Sequence, residues 1–312
     1  MIRFVKHQEI DPEKWDKTVL GATQPTALAT YACLDILADN AWNALVEDDY
    51  QCVMPLPYRS KLGFSYIYTP FFLPHLGPFS QTKTEQKKIL DFFNHIPAKY
   101  IQQDLILNRE ILSLLPDNEM FAMTSYELDI SLPHQTLFND FSQNTRRNIA
   151  AAEKHLLTVE LNDQSLSDIV CLFRNNKGKN KEVRFQEKDY RTLICLAEWL
   201  LKEDKLDVVE CRKQDGTLIA GALMVKDVNN CRFWFSGRDN TESECKPMFY
   251  LINEYLKHIA GKPGVFDFNG SMNENVARMY KGFGGKAYGF PLYRHSHPAI
   301  KHLLALPRKI KL

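Results

Sequence analysis

The chain has 312 residues, 45% of them hydrophobic and 25% charged, which is ordinary globular material and excludes a disordered or fibrous chain. That length exceeds what one hydrophobic core usually fills, so two domains are expected. The net charge of +1 supplies no global field for nucleic acid or anionic membranes, so any such binding must come from local patches.

The seven cysteines (Cys33, Cys52, Cys171, Cys195, Cys211, Cys231 and Cys245) are odd in number and include no C-x-x-C pair. They read as reduced, mostly buried thiols rather than as a disulfide framework or a zinc site. The opening MIRFVKHQEIDPEKW lacks the apolar core of a signal peptide, and no apolar run is long enough to span a membrane. A cytoplasmic location is the expectation.

In chain order, IRFVKH predicts a short strand and the residues after it two helical stretches, the second near PTALATYACLDILA. WNALVE, YQCVMPLPY and FSYIYTP then predict a three-strand meander, joined by EDDY and RSKLG. A helix over TKTEQKKILDFFNHI and strands at YIQQDLIL and FAMTSYELDI follow. The second half repeats this order. One long helix over HQTLFNDFSQNTRRNIAAAEKH leads to the strand LTVEL and two more helices. The strands LDVVECR, TLIAGALMV and CRFWFS, the helix KPMFYLINEYLKHIA and the strand GVFDF complete it. Met248, Leu251, Ile252, Tyr255, Leu256 and Ile259 form a core-facing stripe at helical spacing. The duplicated order predicts two similar α/β domains, 1–133 and 134–312, with the boundary near Pro133, which disfavours helical geometry before it.

Two stretches carry a family resemblance: NTRRNIAAAEKHLLTVEL, a basic helix running into a strand, and FDFNGSMNENVARMYKGFGG. Together they resemble the FemAB-like branch of the GNAT acyltransferase superfamily. The resemblance implies an α/β (α+β) fold of two tandem GNAT-like domains, each a mixed, mostly antiparallel sheet flanked by helices. It also implies transfer of an acyl or aminoacyl group onto an amine, from aminoacyl-tRNA in relatives that extend peptidoglycan bridges or from acyl-CoA in others. No tightly bound cofactor is implied. GNAT enzymes using acetyl-CoA usually follow the fourth strand with a glycine-rich Q/R-x-x-G-x-G/A loop. Here that place reads FSGRDNTESECKP, with one glycine and three acids, which repel a pyrophosphate.

The resemblance also distributes roles. Tyr280 matches the tyrosine that protonates a departing thiolate, and a phenol keeps its proton at pH 7 for that purpose. Lys281 matches a lysine near donor or acceptor phosphates, where a cation stabilises charge growing on the attacked carbonyl. Trp234, Ser236 and Gly237 fall on the strand that splays in this fold, whose backbone N–H can bond the acyl carbonyl.

The residues themselves leave alternatives open. Asp267 alternates with Phe266 and Phe268, so its carboxylate can orient an amine, or simply bond nearby backbone. Asn269 and Asn273 join it as candidate ligand contacts, Ser271 reads as a helix cap, and Gly282, Gly284 and Gly285 as a helix end. Tyr280 also suits a core ring and Lys281 a solvated lysine. Arg146, Arg147 and Lys154 make a basic helix suited to phosphates of tRNA, a nucleotide sugar or a lipid carrier, or a solvated face. Lys177, Lys179, Lys181 and Arg184 can extend that patch. His295 and His297 share a strand face but lack a third ligand, so no metal is expected. The basic, partly apolar tail AIKHLLALPRKIKL suits a docked helix or a peripheral membrane contact. Three functions fit: an aminoacyl or acyl transferase of an envelope precursor, an acyl-CoA N-acyltransferase of a small amine or amino sugar, and an inactive binding module.

Overall fold

A computed structural model describes residues 1–296 apart from 62, 84, 113–119, 181, 182, 184, 229, 271 and 272. Ser271, His297, Lys181, Arg184 and the basic tail therefore lie outside the described residues. Among those described, no helix is long and apolar enough to cross a membrane.

The elements run β1 (Ile2–Val5), α1 (Pro12–Leu20), α2 (Tyr31–Ala38), β2 (Trp42–Glu47), β3 (Cys52–Lys61), β4 (Phe64–Tyr68), β5 (Phe79–Ser80), α3 (Gln86–Asn94), β6 (Tyr100–Ile106) and β7 (Met120–Asp129). Next come α4 (His134–Asp140), α5 (Gln143–Glu153), β8 (Thr158–Leu161), α6 (Leu166–Asn175), α7 (Glu187–Lys202), β9 (Leu206–Arg212), β10 (Leu218–Lys226) and β11 (Asn230–Arg238). The chain continues with α8 (Pro247–Ile259), β12 (Val265–Asp267), α9 (Glu274–Gly282) and β13 (Lys286–Ser296). These elements form two compact units, one of residues 1–123 with the segment from Gly289, the other of 124–288. Pro133 stands inside the second, at the N-cap of α4.

In the first unit β1, β2, β3 and β4 pair antiparallel in turn, β6 joins β4 in parallel, and β13 pairs antiparallel with β6. In the second, β8, β9, β10 and β11 pair antiparallel in turn, β12 joins β11 in parallel, and β7 pairs antiparallel with β12. Each unit thus has a meander, a helix, and a strand returning in parallel beside the last meander strand. A parallel return needs a crossover, which α3 supplies in one and α8 in the other.

In the second unit α8 packs on β9 and β10, and α6 packs on β10 and β11. Pro247 occupies the first turn of α8, and Met248, Leu251, Ile252, Tyr255 and Leu256 are buried as the stripe requires, while Ile259 at its end is half-buried. The long helix read before β8 is two helices. Phe141 is extended, and Ser142 restarts the chain as N-cap of α5 by accepting from the Thr145 N–H at 3.2 Å.

Candidate functional site

The candidate site lies where β11 and β12 part. Their pairing lasts three rows, Asn230 with Val265, Cys231 with Phe266 and Arg232 with Asp267. β11 then runs on to Arg238, while the other chain turns away through Asn269 (φ +59°) and Gly270 (φ +74°) toward α9. On its other edge β11 slips register against β10: Phe233 opposes Met224 and Phe235 opposes Leu223, so Trp234 is the extra residue of a β-bulge. A bulge bends its strand and re-aims side chains, which suits a strand leaving its neighbour.

Period-two alternation sends the Phe266 ring into the core and the Asp267 carboxylate to the opposite face, where it meets Arg232. The two side chains are 9% and 8% exposed and joined by a charge-assisted hydrogen bond from Arg232 Nη1 to Asp267 Oδ2. Tyr288 donates to the same oxygen at 3.0 Å. Asp267 Oδ1 accepts from Ser125 Oγ at 3.1 Å and from the Asn269 N–H at 2.8 Å. A carboxylate offers about four lone-pair positions, and protein donors fill that number here. Asp227 stands 3.8 Å from Arg232 Nη2, while Arg232 Nε has no hydrogen-bond partner among the described residues. Burial disfavours the guanidinium charge, but Asp267 and Asp227 outweigh it and hold the Arg232 pKa above its ordinary value. Burial, reinforced by Asp267, also raises the Tyr288 phenol, which stays protonated.

On the core face Tyr280 stacks on Phe268, with ring centroids 4.5 Å apart and planes 26° apart, and Tyr126 and Phe233 close the aromatic cluster. Burial, and then the charge of Asp267, pushes the Tyr280 phenol above its ordinary pKa. Lys281, the next residue, is exposed, with Nζ 5.7 Å from the Tyr126 ring centroid.

Residues 139–281 match the model of the acetyltransferase (GNAT) domain family. Among solved structures, FemX aligns with a TM-score of 0.67 at 12% identity, covering 95% of this chain and 98% of FemX. The chain shares the fold of FemX. L-PGS from Bacillus licheniformis aligns at 0.56 and 11%, covering 92% of each chain. A protein of unknown function from Bacteroides thetaiotaomicron aligns at 0.57 and 10%, covering 94% of this chain and 100% of its own. At these identities the likeness is one of fold. No curated protein matches the chain by sequence.

Asp267 ends β12 and Asn269 follows it at the turn, while Tyr280 and Lys281 lie in the last turn of α9, which meets this segment through the stacking of Tyr280 on Phe268. Asn273 is the N-cap of α9, accepting from the N–H groups of Asn275 (3.0 Å) and Val276 (3.3 Å). Trp234 is buried and Ser236 half-buried. Gly237 is fixed by packing: a Cβ there would lie 2.4 Å from the Ile169 carbonyl oxygen and 2.7 Å from the Phe173 nitrogen, both α6 backbone. Gly282 allows a helix crossing, since a Cβ would meet Thr145 Oγ1 at 2.3 Å, and its carbonyl accepts from the Ser142 N–H at 2.8 Å. Gly284 alone of the three C-terminal glycines has the left-handed geometry, φ +83°. That crossing sets the start of α5 against the end of α9. Arg146, Arg147 and Lys154 are exposed along and just beyond α5, with Arg146 also donating to the Asn139 carbonyl at 3.2 Å.

Two of the three acids after β11 are engaged. Asp239 accepts from Thr241 N and Oγ1 at 2.8 and 2.7 Å, and Glu242 pairs with Lys213 at 3.0 Å. Among the described residues no three His, Cys, Asp or Glu side chains form a metal-binding group. Sequence reasoning missed Arg232, Ser125 and Tyr288. A signal existed for Arg232: CRFWF and VFDF are buried-strand patterns with one charge each, and of opposite sign.

Proposed function

We propose that the chain is an acyl or aminoacyl transferase acting on an amine, its reaction centre at the opening between β11 and the chain leaving β12. The observation that carries this reading is the parting of the strands: β11 runs on past its last row with β12 through Trp234, Ser236 and Gly237, while the other chain turns away at Asn269, within a GNAT-matching segment. The amine nitrogen attacks the acyl carbonyl carbon, and the oxyanion is stabilised by Lys281 and by backbone N–H groups near Gly237. The C–O bond of an aminoacyl ester, or the C–S bond of a thioester, then breaks. The leaving oxygen or sulfur takes its proton from Tyr280, whose phenol is protonated at neutral pH. The nitrogen gives its surplus proton to solvent.

Asp267 serves this chemistry as a positioning residue. With its acceptor positions taken by Ser125, Asn269, Tyr288 and Arg232, it shapes the turn at Asn269 rather than meeting the amine. Arg146, Arg147 and Lys154 would hold donor or acceptor phosphates. Of the two donors, aminoacyl-tRNA suits the site better than acyl-CoA, because the segment after β11 offers no glycine-rich cradle for a pyrophosphate. The acceptor class is an amine of a cell-envelope precursor such as a peptidoglycan peptide.

Calorimetric titration with acetyl-CoA at low salt tests the donor assignment. Absence of heat, together with salt-sensitive binding of charged tRNA, is expected. Micromolar acetyl-CoA binding lost in Tyr280→Phe would move the assignment to an acyl-CoA enzyme.

A further inference from the structure

The β3–β4 hairpin of the first unit has two unlike faces. Its register pairs Lys61 with Phe64 and Arg59 with Tyr66, and Tyr68 lies two residues farther along β4. Alternation therefore puts Arg59, Lys61, Phe64, Tyr66 and Tyr68 on one face. The other face at the tip carries Ser60 and Ser65, whose hydroxyls bond each other at 2.9 Å. Phe64 is 59% exposed, Arg59 and Lys61 are exposed, and Tyr66 and Tyr68 are half-buried. The Arg59 guanidinium sits 4.3 Å from the Tyr68 ring centroid, and no carboxylate among the described residues ion-pairs with Arg59 or Lys61.

The charge pattern around the hairpin is one-sided. The chain has 38 Asp and Glu residues, yet none falls between Gln51 and Thr84, a stretch with Arg59, Lys61 and Lys83. The carboxylate nearest in register is Asp104, opposite Tyr68 at the end away from the tip, and it is engaged with Arg294 Nε at 3.2 Å. An exposed phenylalanine at a tip, with tyrosines behind it and unopposed cations beside them, matches the layering of a bilayer interface. Aromatic rings sit at headgroup depth and Lys or Arg meets anionic lipid.

We propose that this hairpin docks the protein on an anionic lipid surface, Phe64 entering the acyl boundary and Arg59 and Lys61 contacting lipid phosphates. A single-stranded RNA platform is the competing use of aromatic and cationic side chains, but it needs rings lying flat on a sheet face. Here the most exposed ring stands at the hairpin tip. The proposal does not depend on the catalytic reading, because it is read by binding without turnover.

The test is cosedimentation of the full chain with vesicles of phosphatidylcholine alone and of phosphatidylcholine with phosphatidylglycerol. Binding only to the anionic vesicles, weakening with salt, is expected. Removing each cation, as Arg59→Gln or Lys61→Gln, should lower partitioning about five-fold. Phe64→Ser should lower it further at unchanged circular dichroism. Phe64→Trp gives a second readout, a blue-shifted emission on anionic vesicles that neutral vesicles do not cause. Equal binding to both vesicle types, variants that bind like the parent, or RNA binding lost in these variants without vesicle binding would overturn the proposal.

Discussion

Replacing Asp267 with alanine is the sharpest probe of the site's electrostatics. The change leaves Arg232, 8% exposed, with Asp227 at 3.8 Å as its one ion-pair partner among the described residues. It also removes the acceptor used by Ser125, Tyr288 and the Asn269 N–H. Breaking a buried ion pair from one side costs about 3–5 kcal/mol, because the remaining charge loses its compensation. In Asp267→Ala with Arg232→Met both charges are gone. The double variant should then cost only about 1–2 kcal/mol, the residue of the unsatisfied hydroxyls. The predicted coupling is therefore at least about 2 kcal/mol in a double-mutant cycle. Hydrogen exchange of the β11 and β12 amides measures it locally, without assuming that the two units unfold together. A single-variant cost below about 1 kcal/mol, or a double variant as damaging as the sum of the singles, would refute the buried-pair reasoning.

Three further outcomes follow from the packing and the shifted groups. Gly237→Ala drives a Cβ into the α6 backbone and should cost about 1–3 kcal/mol in urea unfolding, whereas tolerance would mean that α6 is not held against β11 there. Burial pushes the thiols of Cys52, Cys211 and Cys231 up to about 12, so native protein at pH 8 should show fast thiol labelling at the exposed Cys171 and Cys195 and none at those three. Mass mapping of the labelled sites checks this. Burial, opposed by the Asn253 hydrogen bond, depresses the His134 pKa below 6.5, so the unfolded chain takes up this proton first. Stability should thus fall as pH drops below about 6.5 and level off below the folded pKa, a slope that His134→Gln flattens.

Much of the fold was legible because its strands and helices obey simple periods. LDVVECR coincides with β9, and the α8 stripe is buried where spacing placed it. The strand phase that set Asp267 opposite Phe266 was equally plain. Its partner was not, since Arg232 is 35 residues away and only the parallel β11–β12 register brings the two together. The break between α4 and α5 was hidden because Leu137, Phe141 and Ile149 are all buried, which kept an apolar pattern running through a non-helical Phe141–Ser142. Gly237 reads as a site glycine and Gly282 as a helix end, and Gly282 does end α9. Both are required by neighbours distant in sequence, α6 backbone and Thr145.

The central claim is tested most directly by measuring transfer to an amine acceptor from charged tRNA and from acyl-CoA, for the parent chain and for Lys281→Ala. Product formation by the parent from one donor is predicted, with turnover lost in Lys281→Ala at a nearly unchanged melting temperature, because Lys281 is exposed. Saturable donor binding without product, or turnover intact in Lys281→Ala, would contradict the account.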